Sequence, residues 1–234
     1  MKTALIFGSS GLIGNHLLNK ILQSNKYTHI KLFVRSIPKI DNSKVETIQT
    51  DFNNLEKYKD SIVANDCFFC IGTTKKNAPD KKEYRRIEYN IPVEIAQIAK
   101  SNSVDSFIYV SSLGANPNTP GEYLKNKGQV EEELKKLNFP KLAILRPSIL
   151  LGDRKKNRVG EKIGVFVMQM LSPLFLGSLK KMKPIKAEYV AKAMFAIAQN
   201  DYQKTVFESN QIVEIINSSN EKIYLLKRNG GKIL

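Results

Sequence analysis

Tyr123 and Lys127 stand four residues apart in Tyr123-Leu-Lys-Asn-Lys127. On a helix that spacing puts both side chains on one face, pointing the same way. A tyrosine hydroxyl serves as a general acid if its pKa falls from about 10, and a neighbouring ammonium lowers it by stabilising the phenolate. Upstream, Ser111 and Ser112 follow a short apolar run, Phe107-Ile-Tyr-Val110. A serine hydroxyl at such a strand end can polarise a carbonyl group. Ser112 is the preferred candidate, with Ser111 kept beside it. In a lysine-rich chain the Y-x-x-x-K pattern also arises by chance. Its weight comes from its surroundings.

The strongest of these is Gly8-Ser9-Ser10-Gly11-Leu12-Ile13-Gly14, a G-x-x-G-x-x-G between a four-residue apolar run and an amphipathic segment. Glycines there let the chain turn sharply and let the backbone approach a pyrophosphate. The following helix offers free N–H groups and a partial positive charge. Arg35 and Ser36 follow the second apolar run. An acid at that place would bond the ribose 2′-hydroxyl of NAD, whereas an arginine suits the 2′-phosphate of NADP. The plainer reading of Arg35 is a solvated surface cation. Asp51-Phe52 follows the third run, and Asp51 reads equally as an adenine contact or a helix cap. Cys70, Ile71, Gly72, Thr73 and Thr74 close the fourth run, where ligands bind in open α/β sheets. Lys127 can also hold the nicotinamide ribose.

These residues need elements to position them. Apolar runs at 4–7, 30–34, 45–48, 67–71, 107–110, 142–145 and 206–207 read as strands. Leu12 to Leu22 has helical spacing, and Asn53 with Glu56 reads as a capped helix start. Asp80 with Glu83 reads as another, opening a helix toward Ser101 that is kinked near Pro92. Thr119-Pro120-Gly121-Glu122 reads as a cap, a first-turn proline and a third-position acid. Glu188 to Gln199 is a later helix, and the stretch from Ile215 is expected to be an extra strand or a loose tail. Continuous apolar strands alternating with helices predict an α/β fold, a doubly wound and mostly parallel sheet of Rossmann type. Residues 1–234 form a single domain on this reading. Residues 150–234 hold a smaller substrate-side region and the tail.

Composition bounds the function. The net charge of +15 attracts anions, but the lysines are scattered and no nucleic-acid motif interrupts them. Specific nucleic-acid binding is not expected. Cys67 and Cys70 lie inside an apolar run, without the second pair that a metal site needs. Free thiols, and an N-terminus that runs straight into a strand, lead to the expectation of a cytoplasmic location. The apolar stretch 163–179 is broken by Ser172-Pro173 and is short for a membrane span. It reads as a helix packed over a substrate cleft. With the basic segment after it, residues 154–186 read alternatively as a membrane or protein contact.

Taken together, the chain resembles the atypical short-chain dehydrogenase/reductases, and more narrowly the group of the Tat-interacting-protein oxidoreductase. The resemblance rests on the glycine turn, Phe33-Val-Arg-Ser36, Phe69-Cys-Ile-Gly-Thr-Thr74, Val110-Ser-Ser112 and Tyr123-Leu-Lys-Asn-Lys-Gly-Gln-Val-Glu131. Leu145-Arg-Pro-Ser148, Leu150-Leu-Gly-Asp-Arg154 and Val206-Phe-Glu-Ser209 extend it, so that it covers about residues 3 to 210. It implies a Ser-Tyr-Lys triad, NADP(H) as cofactor, and Pro147 and Ser148 near the nicotinamide end. The expected activity is reduction of a carbonyl on a small, partly apolar substrate. The alternative is a non-catalytic, NADPH-responsive regulatory or partner-binding protein, since a bound dinucleotide alone does not establish turnover. Sugar-nucleotide epimerases share the fold but carry a larger C-terminal substrate domain than residues 147–234 provide.

Overall fold

The computed structural model describes residues 2–152 and 181–228. Each predicted strand is present: β1 (Lys2–Phe7), β2 (Tyr27–Val34), β3 (Val45–Gln49), β4 (Asp66–Phe69), β5 (Ser106–Val110) and β6 (Lys141–Arg146). Two short strands, β7 (Leu150–Leu151) and β8 (Ile185–Lys186), pair with each other, and β9 (Val206–Glu208) follows. The helices are α1 (Leu12–Leu22), α2 (Lys81–Arg85), α3 (Ile91–Ser101), α4 (Glu122–Lys136), α5 (Ala187–Gln199) and α6 (Ser209–Arg228).

Seven strands form one sheet in the order β3-β2-β1-β4-β5-β6-β9, and every pairing in it is parallel. Parallel strands are buried on both faces, which is why their sequences are continuously apolar. In β1, Ala4 and Ile6 pack on one face with α1, α5 and α6, while Leu5 and Phe7 pack on the other with α3 and α4. The chain leaves β1 in one direction for β2 and β3 and returns on the other side to β4. This reversal opens a crevice at the carboxyl ends of β1 and β4.

Three local expectations are corrected, and a fourth, the kink near Pro92, takes a specific form. Asn53 caps no helix. Its backbone N–H bonds Asp51 Oδ1 at 2.9 Å, and the turn that follows is a 3-10 segment, Leu55–Ser61, opening at Asn54. Thr119 is not a cap either. Gly121 is extended and helix α4 opens at Glu122, two residues later than the proline pattern implied. The kink before Pro92 takes the form of a π-turn, Arg86–Asn90, in which Ile91 N–H reaches back to Arg86 C=O. A proline ring crowds the carbonyl four residues earlier, here that of Glu88, and the wider turn relieves it. The stretch from Ile215 to Arg228 is neither strand nor loose tail but the continuation of α6. Ile212, Ile215 and Ile216 bury one stripe of α6 against the core. Asp80 does cap its helix, accepting from Glu83 N–H at 2.8 Å. The segment proposed for membrane or protein contact lies, from 154 to 180, outside the described residues.

Candidate active site

The crevice is a cleft of about 1350 Å³ along the carboxyl edge of the sheet. Ser9, Ser10, Gly11, Leu12 and Ile13 border it from the turn after β1, and Ser36 from the end of β2. Cys70 to Thr74 come from the end of β4, Val110, Ser111 and Ser112 from β5, Tyr123 and Lys127 from α4, and Pro147 and Ser148 from the end of β6. Gly8 and Gly14 lie beneath the turn. Gly8 has φ +87°, a left-handed backbone that a side chain strains. A Cβ on Gly14 would sit 2.1 Å from the Gly8 carbonyl oxygen, so only glycine lets α1 start this close to β1.

The turn fits a dinucleotide. Gly11 caps α1 with no side chain, and the first turn holds no acid. Its N–H groups and dipole therefore face the cleft uncancelled, an arrangement suited to a pyrophosphate. His16, Lys39 and Lys76 also border the cleft, and the two lysines add positive charge for an anion. No motif singles them out in the sequence.

Three expected residues are placed elsewhere. Arg35 and Asp51 share a neighbouring depression of about 580 Å³ with Thr50, Asn53, Lys57 and Tyr58. Asp51 is tied into a local turn, and its carboxyl is held below the usual range chiefly by the Asn53 backbone N–H. Phe52 is buried in the core with φ 62°. It offers only its carbonyl, which accepts from Arg86 Nη1 at 3.0 Å. Cys67 and Cys70 pack on opposite faces of the sheet. Burial pushes the Cys70 thiol up to about 12, so it is a small apolar wall and not a nucleophile.

The two serines divide their work. Ser111 Oγ donates to buried Glu131 Oε1 at 2.5 Å, and Arg146 Nε donates to the same oxygen at 2.8 Å. Ser111 is thus committed to a structural network between β5, α4 and β6. Among the described residues, Ser112 Oγ makes only a long 3.5 Å contact with its neighbour's carbonyl, and Ser112 lines the cleft. Ser148 is committed too: it bonds the Lys183 carbonyl and lies 3.0 Å from Ser209 Oγ.

Tyr123 is 39% exposed, at the rim. Lys127 is beneath it, its ammonium 5.9 Å from the Tyr123 ring centre and its side chain 4% exposed. Nζ donates to Tyr109 Oη at 3.1 Å and to the Val110 carbonyl at 3.3 Å, and lies 3.1 Å from Glu88 Oε2. Burial alone would drive the ammonium toward neutrality. Glu88, together with Tyr109 and Tyr123, outweighs that and holds Lys127 well above the ordinary lysine value. Burial pushes Tyr109 up to about 12 against the pull of Lys127, so it remains a neutral phenol. Glu88, buried on the cleft and paired with Lys127, is a residue that sequence reasoning missed.

Solved structures share this architecture. MoeE5 in complex with UDP-glucuronic acid and NAD superposes with a TM-score of 0.65 over 88% of this chain and 75% of its own, at 15% identity, which shows the fold. Sheet order, glycine turn and strand-end residues define an atypical NAD(P)-binding protein of the short-chain dehydrogenase/reductase kind. The chain belongs to the NAD(P)H-binding family, whose profile matches residues 8–201. A nicotinamide dinucleotide is accordingly its cofactor. Among its relatives are Protein FMP52-1, mitochondrial, of Scheffersomyces stipitis (31% identical over 91% of this chain and 98% of the relative) and Protein HTATIP2 of Rattus norvegicus (31% over 76% and 72%). The expectation of a cytoplasmic location does not stand, because the FMP52 relatives are named as mitochondrial proteins.

Proposed function

We propose that this protein is an NADPH-dependent oxidoreductase that reduces a carbonyl on a small, partly apolar substrate. One observation supports the reading: Ser112, Tyr123 and Lys127 all line the cleft that the glycine turn borders, with the Lys127 ammonium 5.9 Å from the Tyr123 ring centre. Ser112 Oγ holds the carbonyl oxygen, and Tyr123 Oη gives that oxygen its proton. The bound nicotinamide would supply the hydride. Lys127, charged and close, stabilises the phenolate left on Tyr123. The glycine turn and the α1 N-terminus hold the pyrophosphate, and Ile13, Ile71, Thr74, Val110 and Pro147 shape the wall that the rest of the cofactor lies along.

Arg35 supports the phosphate preference from the neighbouring depression, with Ser36, next in sequence, lining the main cleft. Leu150 and Leu151 give the far side its apolar character.

A Tyr123→Phe variant tests the mechanism. It is expected to lower kcat by about 100-fold or more while leaving NADPH binding intact. Equal rates in the variant and the wild type would refute the proton-transfer role. Cofactor binding without turnover on any of a panel of aldehydes and ketones would favour the non-catalytic, NADPH-responsive reading.

A further inference from the structure

Four buried side-chain polar atoms have no hydrogen-bond partner among the described residues: Thr74 Oγ1, Glu88 Oε2, Ser106 Oγ and Asn126 Nδ2. Two of these residues, Thr74 and Glu88, line the cleft. A buried polar atom without a partner is costly, and a charged one more so. An orphaned carboxylate oxygen on a binding wall therefore points to a ligand.

The setting of Glu88 is specific. The π-turn carries it to the cleft, where its side chain is fully buried. The Thr73 backbone N–H donates to Oε1, which fixes the carboxylate plane. Oε2 then lies 3.1 Å from Lys127 Nζ, close enough for charge attraction but off a hydrogen-bonding direction. Lys127 spends two of its three ammonium hydrogens on Tyr109 and Val110. One ammonium hydrogen and one carboxylate oxygen are left side by side on the wall. A hydroxyl group satisfies both at once, accepting from the first and donating to the second.

We infer that Glu88 is a binding residue for the ribose on the nicotinamide side of the cofactor, its Oε2 accepting from a hydroxyl to which Lys127 donates. The inference rests on the cofactor reading above. Its position follows from the order of groups along the cleft. The glycine turn takes the pyrophosphate, Ser36 lies on the adenosine side, and Lys127 with Glu88 lies on the other.

Glu88→Gln tests it by calorimetric titration. The amide keeps an acceptor for Thr73 N–H and replaces the free acceptor with a donor. Two ligands are compared: NADPH, and 2′-phospho-ADP, which keeps the adenosine and pyrophosphate but has no nicotinamide ribose. Losing one negative charge strengthens both anions alike, so the difference between them is the readout. The variant is expected to bind NADPH about tenfold more weakly, the scale of one charge-assisted hydrogen bond, with 2′-phospho-ADP not weakened. Equal weakening of both ligands, or of neither, overturns the inference and makes Glu88 a structural partner of Lys127. Binding of 2′-phospho-ADP also reports that the variant is folded. If the wild type binds neither ligand, the cofactor reading falls first and this inference falls with it.

Discussion

At Ser111 and Ser112 two identical residues in succession meet different surroundings, and the difference is decided by Glu131 and Arg146. Arg146 makes a two-point pair with Glu131, and Ser111 supplies a third hydrogen to the same carboxylate. Ser111→Ala removes one donor from a network that keeps its arginine. It should cost about 1 kcal/mol in stability, read by denaturant unfolding, and leave kcat close to wild type. Ser112→Ala should do the reverse, lowering kcat with the unfolding midpoint unchanged. A kcat loss confined to Ser111→Ala would reassign the two roles. The serine pair, Tyr123 and Lys127 were legible because each stands at a strand end or in a spaced motif. Glu88 was not. It is one acid among many in a charged segment, and the only local sign was Pro92 four residues on, which reads as a kink and says nothing of where the turn points. Arg35 and Asp51 were legible only as residues that follow the second and third strands. Sequence could not show that a separate depression holds them, nor that Asp51 is turned back onto Asn53.

The elements around the cleft show which local signals decide and which are overruled. Apolar runs found every strand of the main sheet, since a strand buried on both faces has few other ways to be written. Capping patterns fared unevenly. Asp80 captures the N–H of Glu83 as its pattern predicts. Thr119 and Asn53 carry equally good patterns, but Gly121 and the Asp51 turn offer the chain a nearer alternative. Helix α6 was missed because its three isoleucines sit in a polar stretch, and their one-sided spacing gains meaning only against the face formed by α5 and β6. The glycine turn is the element on which the site depends most. Gly14→Ala forces a Cβ into the Gly8 carbonyl, so α1 must move away from β1. We expect a loss of about 2 kcal/mol or more in stability, read by thermal unfolding, together with loss of detectable NADPH binding. A variant that melts and binds like wild type would mean that the close approach is not needed.

On the scale of the whole molecule, the sheet packs a core on each face, and the cleft lies along the strand ends where the chain reverses between β1 and β4. The anion-attracting turn sits at that reversal, with the charged Lys127–Glu88 pair sunk into the adjoining wall. The formal charge of +15 adds a long-range pull on any phosphate-bearing ligand, which favours encounter without selecting among nucleotides. On the proposed reading, selection belongs to Arg35 and Ser36 on one side and to Glu88 and Lys127 on the other. Family membership makes a nicotinamide dinucleotide the cofactor, so the most direct test of the account is which one is preferred. Purified protein is titrated with NADPH and with NADH while cofactor fluorescence is followed. The account predicts saturable binding of both with NADPH at least about tenfold tighter, the scale of one charge-assisted contact to the 2′-phosphate. Equal affinity for the two would contradict the role given to Arg35, and binding of neither would contradict the cofactor site itself.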